Sequence, residues 1–328
     1  MASLVWTDMT GQHRAGRPAG VRTPSDRSPP VLAVLVPCLE EENTIGAVVS
    51  GFRTALPGAV VHVYDNGSAD ATVGRAGEAG AVVHVEPTAG KGSVVRRMFA
   101  DVEADVYVLV DGDGTYDPAD APLLVKRLVE DNLDMVVGAR VGPMGRPGHA
   151  AGNRLFNLLY QWLFGTGFTD ILSGYRVLNN RFVRSFPAGS TGFEIETEMS
   201  VHASQLRLPV AEVDVSYRDR PEGSASKLRT LPDGWRILRA MGALLRDNRP
   251  LALFGWLAAG SMVAALALGV PVVVEFARTG LVGRLPTAVL ATGLTVISLV
   301  LTTLGLLLDS VARARVEAKR LAYLQNRS

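Results

Sequence analysis

Short, continuously apolar runs alternate with amphipathic stretches between Val31 and about Arg229. The runs occupy residues 31–37, 60–65, 81–86, 106–110 and 134–140, and helical patterns begin at Thr44, Ala71, Gly92 and Pro118. Runs that are apolar throughout are typical of strands that are buried on both faces. The pattern therefore predicts an α/β domain with a mostly parallel sheet covered by helices on both sides.

Two long uncharged segments follow this domain, from Leu251 to Val274 and from Leu285 to Leu308. With a rise of about 1.5 Å per residue, each is long enough to cross a hydrocarbon core of about 30 Å. Two buried core helices are the alternative, but uncharged runs of this length exceed what a soluble core needs. We expect a two-helix transmembrane hairpin over residues 251–308.

Basic residues flank the predicted hairpin on one side of the membrane. They are Arg236, Arg239, Arg246 and Arg249 before it and Arg313, Arg315, Lys319 and Arg320 after it, whereas the connecting loop holds only Arg278, Arg284 and Glu275. The positive-inside rule places the domain and both termini in the cytoplasm, so residues 309–328 form a cytoplasmic basic tail of an integral membrane protein.

Two further segments are assigned by composition. Residues 1–30 are rich in Arg, Pro, Ser and Gly and lack an apolar core, which predicts a disordered N-terminal tail rather than a signal peptide. Residues 232–250 place apolar side chains on one broad face and arginines on the other. That pattern predicts an amphipathic helix that lies in the membrane interface.

Overall composition excludes several classes of function. The chain has 328 residues, with 33 Lys plus Arg against 32 Asp plus Glu, so no nucleic-acid partner is expected. The single Cys38 excludes an intramolecular disulfide and a cysteine-cluster zinc site. The phosphate loop GxxxxGK[ST] and the dinucleotide fingerprint GxGxxG are both absent from the sequence, which argues against nucleotide hydrolysis and nicotinamide chemistry.

Four polar segments follow predicted strands: PCLEEE (37–42), DNGSAD (65–70), GKG (90–92) and DGDGTYDP (111–118). Open sheets bind ligands at the carboxyl ends of their strands, so the shared location points to a site. DNGSAD alone equally suits a turn that caps a helix. The pair Asp111 and Asp113 is more specific, because carboxylates are the oxygen ligands of Mg²⁺ and Mn²⁺ and Gly112 allows close approach. A solvated turn is the alternative there.

Three segments in the second half of the domain mix charges with glycines: FTDILSGYR, GFEIETEM and YRDRPEGSASKL. Within the last, Arg218, Arg220 and Lys227 lie close together near the predicted membrane surface. Such a cluster suits an anionic lipid head group, because arginine forks match phosphate, although simple positive-inside flanking is the alternative. GFEIETEM equally suits the start of an ordinary amphipathic helix.

Taken in order, PCLEEE, DNGSAD, GKG, DGDGTYDP, GAR, DILSGYR, GFEIETEM and RPEGSASKL resemble family 2 glycosyltransferases with the GT-A fold. The resemblance is to the dolichol-phosphate mannose synthase type, which charges a polyprenyl phosphate with one sugar. It spans about Val31 to Gly234 and implies a Rossmann-like GT-A catalytic domain over residues 31–231, followed by the two membrane helices.

The resemblance assigns roles at the donor end of the site. It implies donor-nucleotide contacts for Pro37, Glu41, Asp65 and Lys91. Asp111 and Asp113 match the family's DxD pair, with Asp113 as the direct Mg²⁺ or Mn²⁺ ligand and Asp111 shared between nucleotide and metal. Glu40 stands where the family usually has Asn, and Thr115 where mannose synthases often have Gln.

The resemblance also assigns roles nearer the acceptor. Arg140 matches the arginine that meets the acceptor phosphate. The family's element near the donor sugar corresponds to Asp170, Ser173 and Arg176. The element that closes over the donor diphosphate and the acceptor phosphate corresponds to Arg220, Ser226 and Lys227. Catalytic roles are thus implied for Asp113, Arg140, Arg220 and Lys227.

The expected reaction is a metal-dependent, inverting, single displacement. One sugar passes from a UDP- or GDP-sugar donor to a polyprenyl phosphate (undecaprenyl or dolichyl phosphate) at the cytoplasmic membrane face. The ionised phosphate acceptor needs no strong general base. A family 2 transferase that acts on a hydroxyl of a lipid-linked glycan or cell-envelope polysaccharide is the alternative, as is a catalytically inert membrane scaffold. Small residues such as Gly255, Ala259 and Gly260 would suit packing between membrane spans, which allows for a homo-oligomer.

Overall fold

The structure is a computed structural model and describes residues 30–141, 157–158, 160–162, 168–189, 192, 194–218, 242–243 and 246–326. The predicted N-terminal tail therefore lies outside the described residues apart from Pro30. The predicted interfacial helix over residues 232–250 is described only at 242–243 and 246–250.

Strands and helices alternate through the first half of the described chain. The strands are β1 (Leu32–Cys38), β2 (Val60–Asp65), β3 (Val82–Val85), β4 (Val106–Leu109), β5 (Met135–Val141), β6 (Arg176–Asn179) and β7 (Val210–Ser216). The helices are α1 (Ile45–Ala55), α2 (Thr72–Glu78), α3 (Lys91–Asp101), α4 (Ala121–Glu130), α5 (Asn180–Ser185), α6 (Ile195–Leu206), α7 (Pro250–Thr279) and α8 (Leu285–Gln325), and a short 3-10 helix (Pro118–Asp120) precedes α4.

The strands form one sheet in the spatial order β3-β2-β1-β4-β6-β5-β7. Strand β6 is antiparallel to its neighbours β4 and β5, and the other pairs are parallel. The predicted α/β fold with a mostly parallel sheet is confirmed. All five predicted strands are present within a few residues of the expected bounds, whereas β6 and β7 were not predicted.

Both faces of the sheet are covered by apolar layers. Along β1, Ala33 and Leu35 contribute to one buried cluster, and Val34 and Val36 to the other. Consecutive side chains of a strand point to opposite faces, which explains why these runs are apolar at every position. The side of Leu35 is filled mainly from α3, α5 and α6, and the side of Val36 mainly from α1 and α4.

Helices α7 and α8 are long and apolar enough to cross a membrane. Their most apolar windows have mean hydropathy of 2.2 and 2.1, and only 17% of each window is buried inside the structure. They pack against each other as an antiparallel pair, in which Ser298 Oγ donates to the carbonyl of Ala258 at 2.8 Å and Ser261 Oγ to that of Leu294 at 2.9 Å. The remaining faces present apolar side chains outward.

Helix α8 continues far beyond its apolar part and returns to the sheet. The segment predicted as a basic tail from residue 309 is helical as far as Gln325. The Tyr323 hydroxyl donates to Asp134 Oδ2 at 2.8 Å, and Lys319 Nζ donates to Gln205 Oε1 at 3.2 Å. One helix therefore joins the apolar hairpin directly to the α/β domain.

Candidate active site

The segment that follows β4 carries the two predicted metal ligands. Asp113 is only 5% exposed, and its Oδ1 accepts hydrogen bonds from the backbone NH of Thr115 at 3.1 Å and from Thr115 Oγ1 at 2.6 Å. A Cβ on Gly112 would lie 3.2 Å from the Cβ of Cys38, and the Gly112 carbonyl accepts from Thr44 Oγ1 at 2.8 Å. The turn is therefore packed tightly against the end of β1, which fixes the backbone between the two carboxylates.

A buried lysine stands between two carboxylates beside this turn. Lys91 Nζ lies 2.5 Å from Asp111 Oδ1 and also forms an ion pair with Glu196 Oε1. The side chains of Lys91 and Glu196 are 12% and 5% exposed. Burial alone would lower the pKa of Lys91, but the two carboxylates outweigh burial, so the pKa is raised and the ammonium stays charged.

A second ion pair lies at the end of β5. Asp170 accepts two parallel hydrogen bonds from Arg140, one from Nε and one from Nη2, each of 2.7 Å. The guanidinium also lies over the ring of Tyr217, with Cζ 5.4 Å from the ring centroid. Burial would lower the pKa of Arg140, but the hydrogen bonds to Asp170 outweigh burial, so the pKa is raised. The arginine is therefore a fixed positive charge at the carboxyl edge of the sheet.

The loop before β6 closes the space between these pairs. Ser173 Oγ donates to the carbonyl of Gly138 at 2.5 Å, and the backbone NH of Gly174 donates to the Tyr116 hydroxyl at 2.9 Å. A Cβ on Gly174 would overlap the carboxylate of Asp111. Only glycine leaves that carboxylate in place.

Arg176 has a different place from the one expected near the donor sugar. Its side chain is 0% exposed. Its guanidinium donates to the carbonyls of Ile171 at 2.8 Å and Ser173 at 3.0 Å, and to Ser200 Oγ at 3.0 Å. The arginine therefore supports the DILSGYR loop from inside the core, and Ser173 likewise binds backbone rather than open space.

The predicted nucleotide-binding residues cluster at the ends of β1 and β2. Pro37 is buried in β1, and the backbone NH of Glu41 donates to Thr72 Oγ1 at 2.9 Å. Asp65 is 2% exposed, and its Oδ2 accepts from the backbone NH groups of Gly67 at 3.0 Å and Ser68 at 2.9 Å. Its Oδ1 is buried with no hydrogen-bond partner among the described residues, so it is able to accept a hydrogen bond from a bound ligand.

Glu40 and Asn66 shape this end of the site. Glu40 has a φ of 53°, in the left-handed region that Asn adopts more readily than Glu, which accounts for the family's usual Asn there. Asn66 donates through Nδ2 to the carbonyls of Glu86 and Thr88, both at 2.9 Å, and accepts from the backbone NH of Gly90 at 2.7 Å. Asn66 thereby connects the β2 turn to the loop that carries Lys91.

The structure brings together most of the predicted residues at one edge of the sheet. Arg220, Ser226 and Lys227 lie outside the described residues. Glu196 and Tyr116 were not assigned roles from the sequence. Glu196 lies in GFEIETEM, which suited an ordinary helix start, and only the contact with Lys91 reveals a role in the site.

The donor set at the β4 turn fits a divalent metal. Asp111 and Asp113 offer hard carboxylate oxygens and are separated by one residue, and the Asp111 side chain is 29% exposed. No cluster of three or more His, Cys, Asp or Glu side chains is found among the described residues. Mg²⁺ and Mn²⁺ commonly take one or two carboxylates and complete their shells with water and substrate phosphate oxygens, so two aspartates suffice.

The topology of the sheet is that of the GT-A fold, and paired aspartates lie beside a buried lysine at its carboxyl edge. The family described as glycosyl transferase family 2 matches residues 33–185. Glycosyltransferase AglJ of Haloferax volcanii is 35% identical over 255 residues, covering 76% of this chain and 83% of that protein. The chain therefore belongs to glycosyltransferase family 2.

More distant relatives and solved structures share this framework. Polyprenol monophosphomannose synthase of Mycolicibacterium smegmatis is 26% identical, over 63% of this chain and 82% of that protein. Glucosyl-3-phosphoglycerate synthase from Mycobacterium tuberculosis, solved with Mn²⁺, UDP and glucosyl-3-phosphoglycerate, superposes with a TM-score of 0.55 at 25% identity. That alignment covers 66% of this chain and 79% of the solved one.

Proposed function

We propose that this glycosyltransferase moves one sugar from a UDP- or GDP-sugar to a polyprenyl phosphate at the cytoplasmic face of a membrane. The observation that carries the proposal is helix α8, which joins an apolar hairpin to the domain that holds Asp111 and Asp113. A catalytic domain fastened to a membrane-length hairpin is suited to an acceptor that stays in the bilayer. The similarity to a polyprenol monophosphomannose synthase agrees with this acceptor class.

The reaction is a single displacement at the anomeric carbon. An oxygen of the acceptor phosphate forms the new bond to that carbon while the bond to the donor's β-phosphate breaks, and the nucleoside diphosphate leaves with the electron pair. Asp111 and Asp113 would hold a divalent metal, which would supply charge stabilisation to the leaving diphosphate. Lys91 adds a fixed positive charge on the same side of the site.

Arg140 provides the charge for the acceptor. Its guanidinium is held in a fixed orientation by the bidentate pair with Asp170 and by the ring of Tyr217. Arginine held in this way presents its remaining donors to phosphate with little loss of side-chain entropy. Arg220, Ser226 and Lys227 are proposed to close over the two phosphate groups, and this role follows from the family resemblance alone.

Transfer to a hydroxyl group instead would need a base at the acceptor. Asp170 is the carboxylate nearest to Arg140, but both of its oxygens already accept hydrogen bonds from that arginine. Those two oxygens are occupied by the arginine, whereas an acceptor phosphate is already ionised near neutral pH and needs no base. The arrangement favours the phosphate acceptor.

A donor scan tests the proposal. Purified full-length protein in detergent would be mixed with undecaprenyl phosphate, Mg²⁺ or Mn²⁺ and radiolabelled UDP- or GDP-sugars, followed by lipid extraction. We expect label from one donor in a lipid that mild acid cleaves. Label that appears only when a lipid-linked glycan with free hydroxyl groups replaces undecaprenyl phosphate would overturn the phosphate acceptor.

A further inference from the structure

Three segments that are far apart in the chain meet at Lys91. The lysine is the first residue of α3, Asp111 follows β4, and Glu196 lies in the first turn of α6. Lys91 forms ion pairs with both carboxylates; the side chains of Lys91 and Glu196 are largely enclosed, and that of Asp111 is partly exposed. The two acids thus share one ammonium at the place proposed for the metal.

The position of Lys91 is electrostatically unfavourable on its own helix. The N-terminus of a helix carries partial positive charge and therefore disfavours a cation. Glu196 lies at the N-terminus of another helix, where a carboxylate is favoured. The enclosed ammonium consequently depends on its two carboxylates, and neither can be lost without changing how Lys91 bonds to the other.

Asp111 is both a partner of Lys91 and a proposed ligand of the divalent metal. Its Oδ1 is bonded to Lys91 at 2.5 Å, and a carboxylate neutralised by an ammonium is a poorer ligand for a divalent cation. A second counter-ion for the lysine would relieve this competition. Glu196, which is buried and already paired with Lys91, is in position to supply it.

We propose that Glu196 is a positioning residue that holds Lys91 when Asp111 binds the divalent metal. The inference rests on the proposed metal-dependent function, but it does not depend on which acceptor the enzyme uses. Glu196 acts through Lys91: it anchors the ammonium so that the lysine does not neutralise Asp111. Without Glu196, Lys91 and the metal compete for the same carboxylate.

Metal binding measured without any acceptor tests this role. Full-length protein in detergent would be titrated with Mn²⁺ in the presence of UDP, and free Mn²⁺ followed by electron paramagnetic resonance. Glu196→Gln keeps the shape of the side chain and is expected to raise the Kd for Mn²⁺ about tenfold, an effect typical of losing one close charged partner. Glu196→Asp, which restores the charge, should recover most of the affinity.

Glu198→Gln is the matched control, because it makes the same charge change on the same helix. Glu198 Oε1 accepts a hydrogen bond from the backbone NH of Gly189 at 3.0 Å, and its position two residues after Glu196 places it on a different face of the helix. This control should leave the Kd for Mn²⁺ within about twofold of the wild-type value. A comparable loss in both variants would indicate a general field effect and would overturn the specific role of Glu196.

A double-mutant cycle separates action through Lys91 from direct attraction between Glu196 and the metal. In a Lys91→Met background no ammonium competes for Asp111, so adding Glu196→Gln should change the Kd for Mn²⁺ by less than about twofold. The same tenfold loss in both backgrounds would overturn the inference. If the wild-type protein does not bind Mn²⁺, both the role of Glu196 and the metal site at Asp111 and Asp113 are overturned. If the protein binds Mn²⁺ but transfers no sugar to the lipid phosphate, only the proposed acceptor is overturned.

Discussion

Two clusters of charged side chains lie at opposite ends of the same sheet, and they differ in how fully their polar atoms are bonded. At the amino end of β5, Asp134 is 0% exposed and accepts from Asn179 at 2.6 Å, Arg181 at 3.0 Å and Tyr323 at 2.8 Å. Arg181 also lies 4.6 Å over the ring of Tyr323. Both carboxylate oxygens of this cluster are bonded to groups of the protein itself.

The cluster at the carboxyl end also combines carboxylates with a cation, but its polar atoms are not all bonded within the described part of the chain. Asp65 Oδ1 is buried with no partner in the described part of the chain, and Lys91 is shared by two carboxylates. Buried polar groups in folded proteins are normally bonded, so an open atom at a sheet edge marks a place for a ligand. Charge content alone therefore does not distinguish a structural cluster from a functional one.

A substitution in the cluster at the carboxyl end of the sheet should have the largest effect. Asp113→Ala should reduce turnover by about a thousandfold, because the metal that stabilises the leaving diphosphate loses a ligand. The melting temperature should change little, since the bonds from Thr115 to Asp113 Oδ1 lie within one turn of the chain. Sugar transfer in the lipid-extraction assay and circular dichroism melting would check the two parts. Metal-dependent turnover that persists in this variant would remove the role of Asp113.

Asp134→Asn should lower stability and leave donor binding unchanged. It leaves the Arg181 guanidinium without its buried carboxylate, and breaking a buried ion pair costs about 3 kcal/mol of unfolding free energy. Donor binding by the protein that remains folded should be unchanged. Denaturant unfolding in detergent and isothermal titration with UDP would measure both quantities. A loss of UDP affinity without a loss of stability would contradict the division between the two clusters.

His202 lies outside both clusters and tests the cost of burying an incompletely bonded group. Its Nδ1 is buried with no hydrogen-bond partner among the described residues. It is 0% exposed, its Nε2 lies 3.1 Å from Ser185 Oγ, and burial lowers its pKa from 6.5 to about 3. The unfolded chain therefore binds a proton that the folded chain excludes, so the unfolding free energy falls as the pH drops from 6.5 towards 3. At pH 5 the loss should be about 2 kcal/mol.

His202→Leu should flatten that dependence on pH. The comparison requires melting temperatures of both proteins at pH 7.5 and pH 5. An equal fall in stability for the variant and the wild-type protein would assign the effect to other groups.

The smallest expected effect concerns the docking of α8. Tyr323→Phe removes one hydrogen bond to Asp134 while keeping the ring beneath Arg181, which should lower the unfolding free energy by about 1 kcal/mol. Tyr323→Ala should cost more, because it also removes the ring. Equal effects of the two substitutions would mean that the aromatic contact contributes nothing.

The sequence was informative where structure is local. Continuous apolar runs predicted β1 to β5, and parallel strands necessarily bring their carboxyl ends together, so Asp65, Lys91 and Asp111 were expected at one edge. Strand β6 escaped prediction because it has only four residues and begins with Arg176, which is fully buried. Strand β7 carries Glu212 and Asp214 among its valines, which obscured its apolar pattern.

Contacts between distant segments were not predictable from the sequence. Nothing in GFEIETEM indicates which cation Glu196 meets, since Lys91 lies on a different helix. Likewise, Tyr323 in an apparently basic tail gives no sign of Asp134, which precedes β5. Such pairs depend on the packing of whole helices against the sheet, and that packing is not encoded in any local pattern.

The placement of metal and nucleotide at one edge of the sheet is tested by UDP binding to the full-length protein with and without Mn²⁺, measured by isothermal titration calorimetry for the wild type and for Asp113→Ala. If the carboxyl edge of the sheet holds a metal and a nucleoside diphosphate together, Mn²⁺ should tighten UDP binding at least about tenfold in the wild type and have no effect in the variant. Equal Mn²⁺ dependence in the two proteins would contradict the placement of the site.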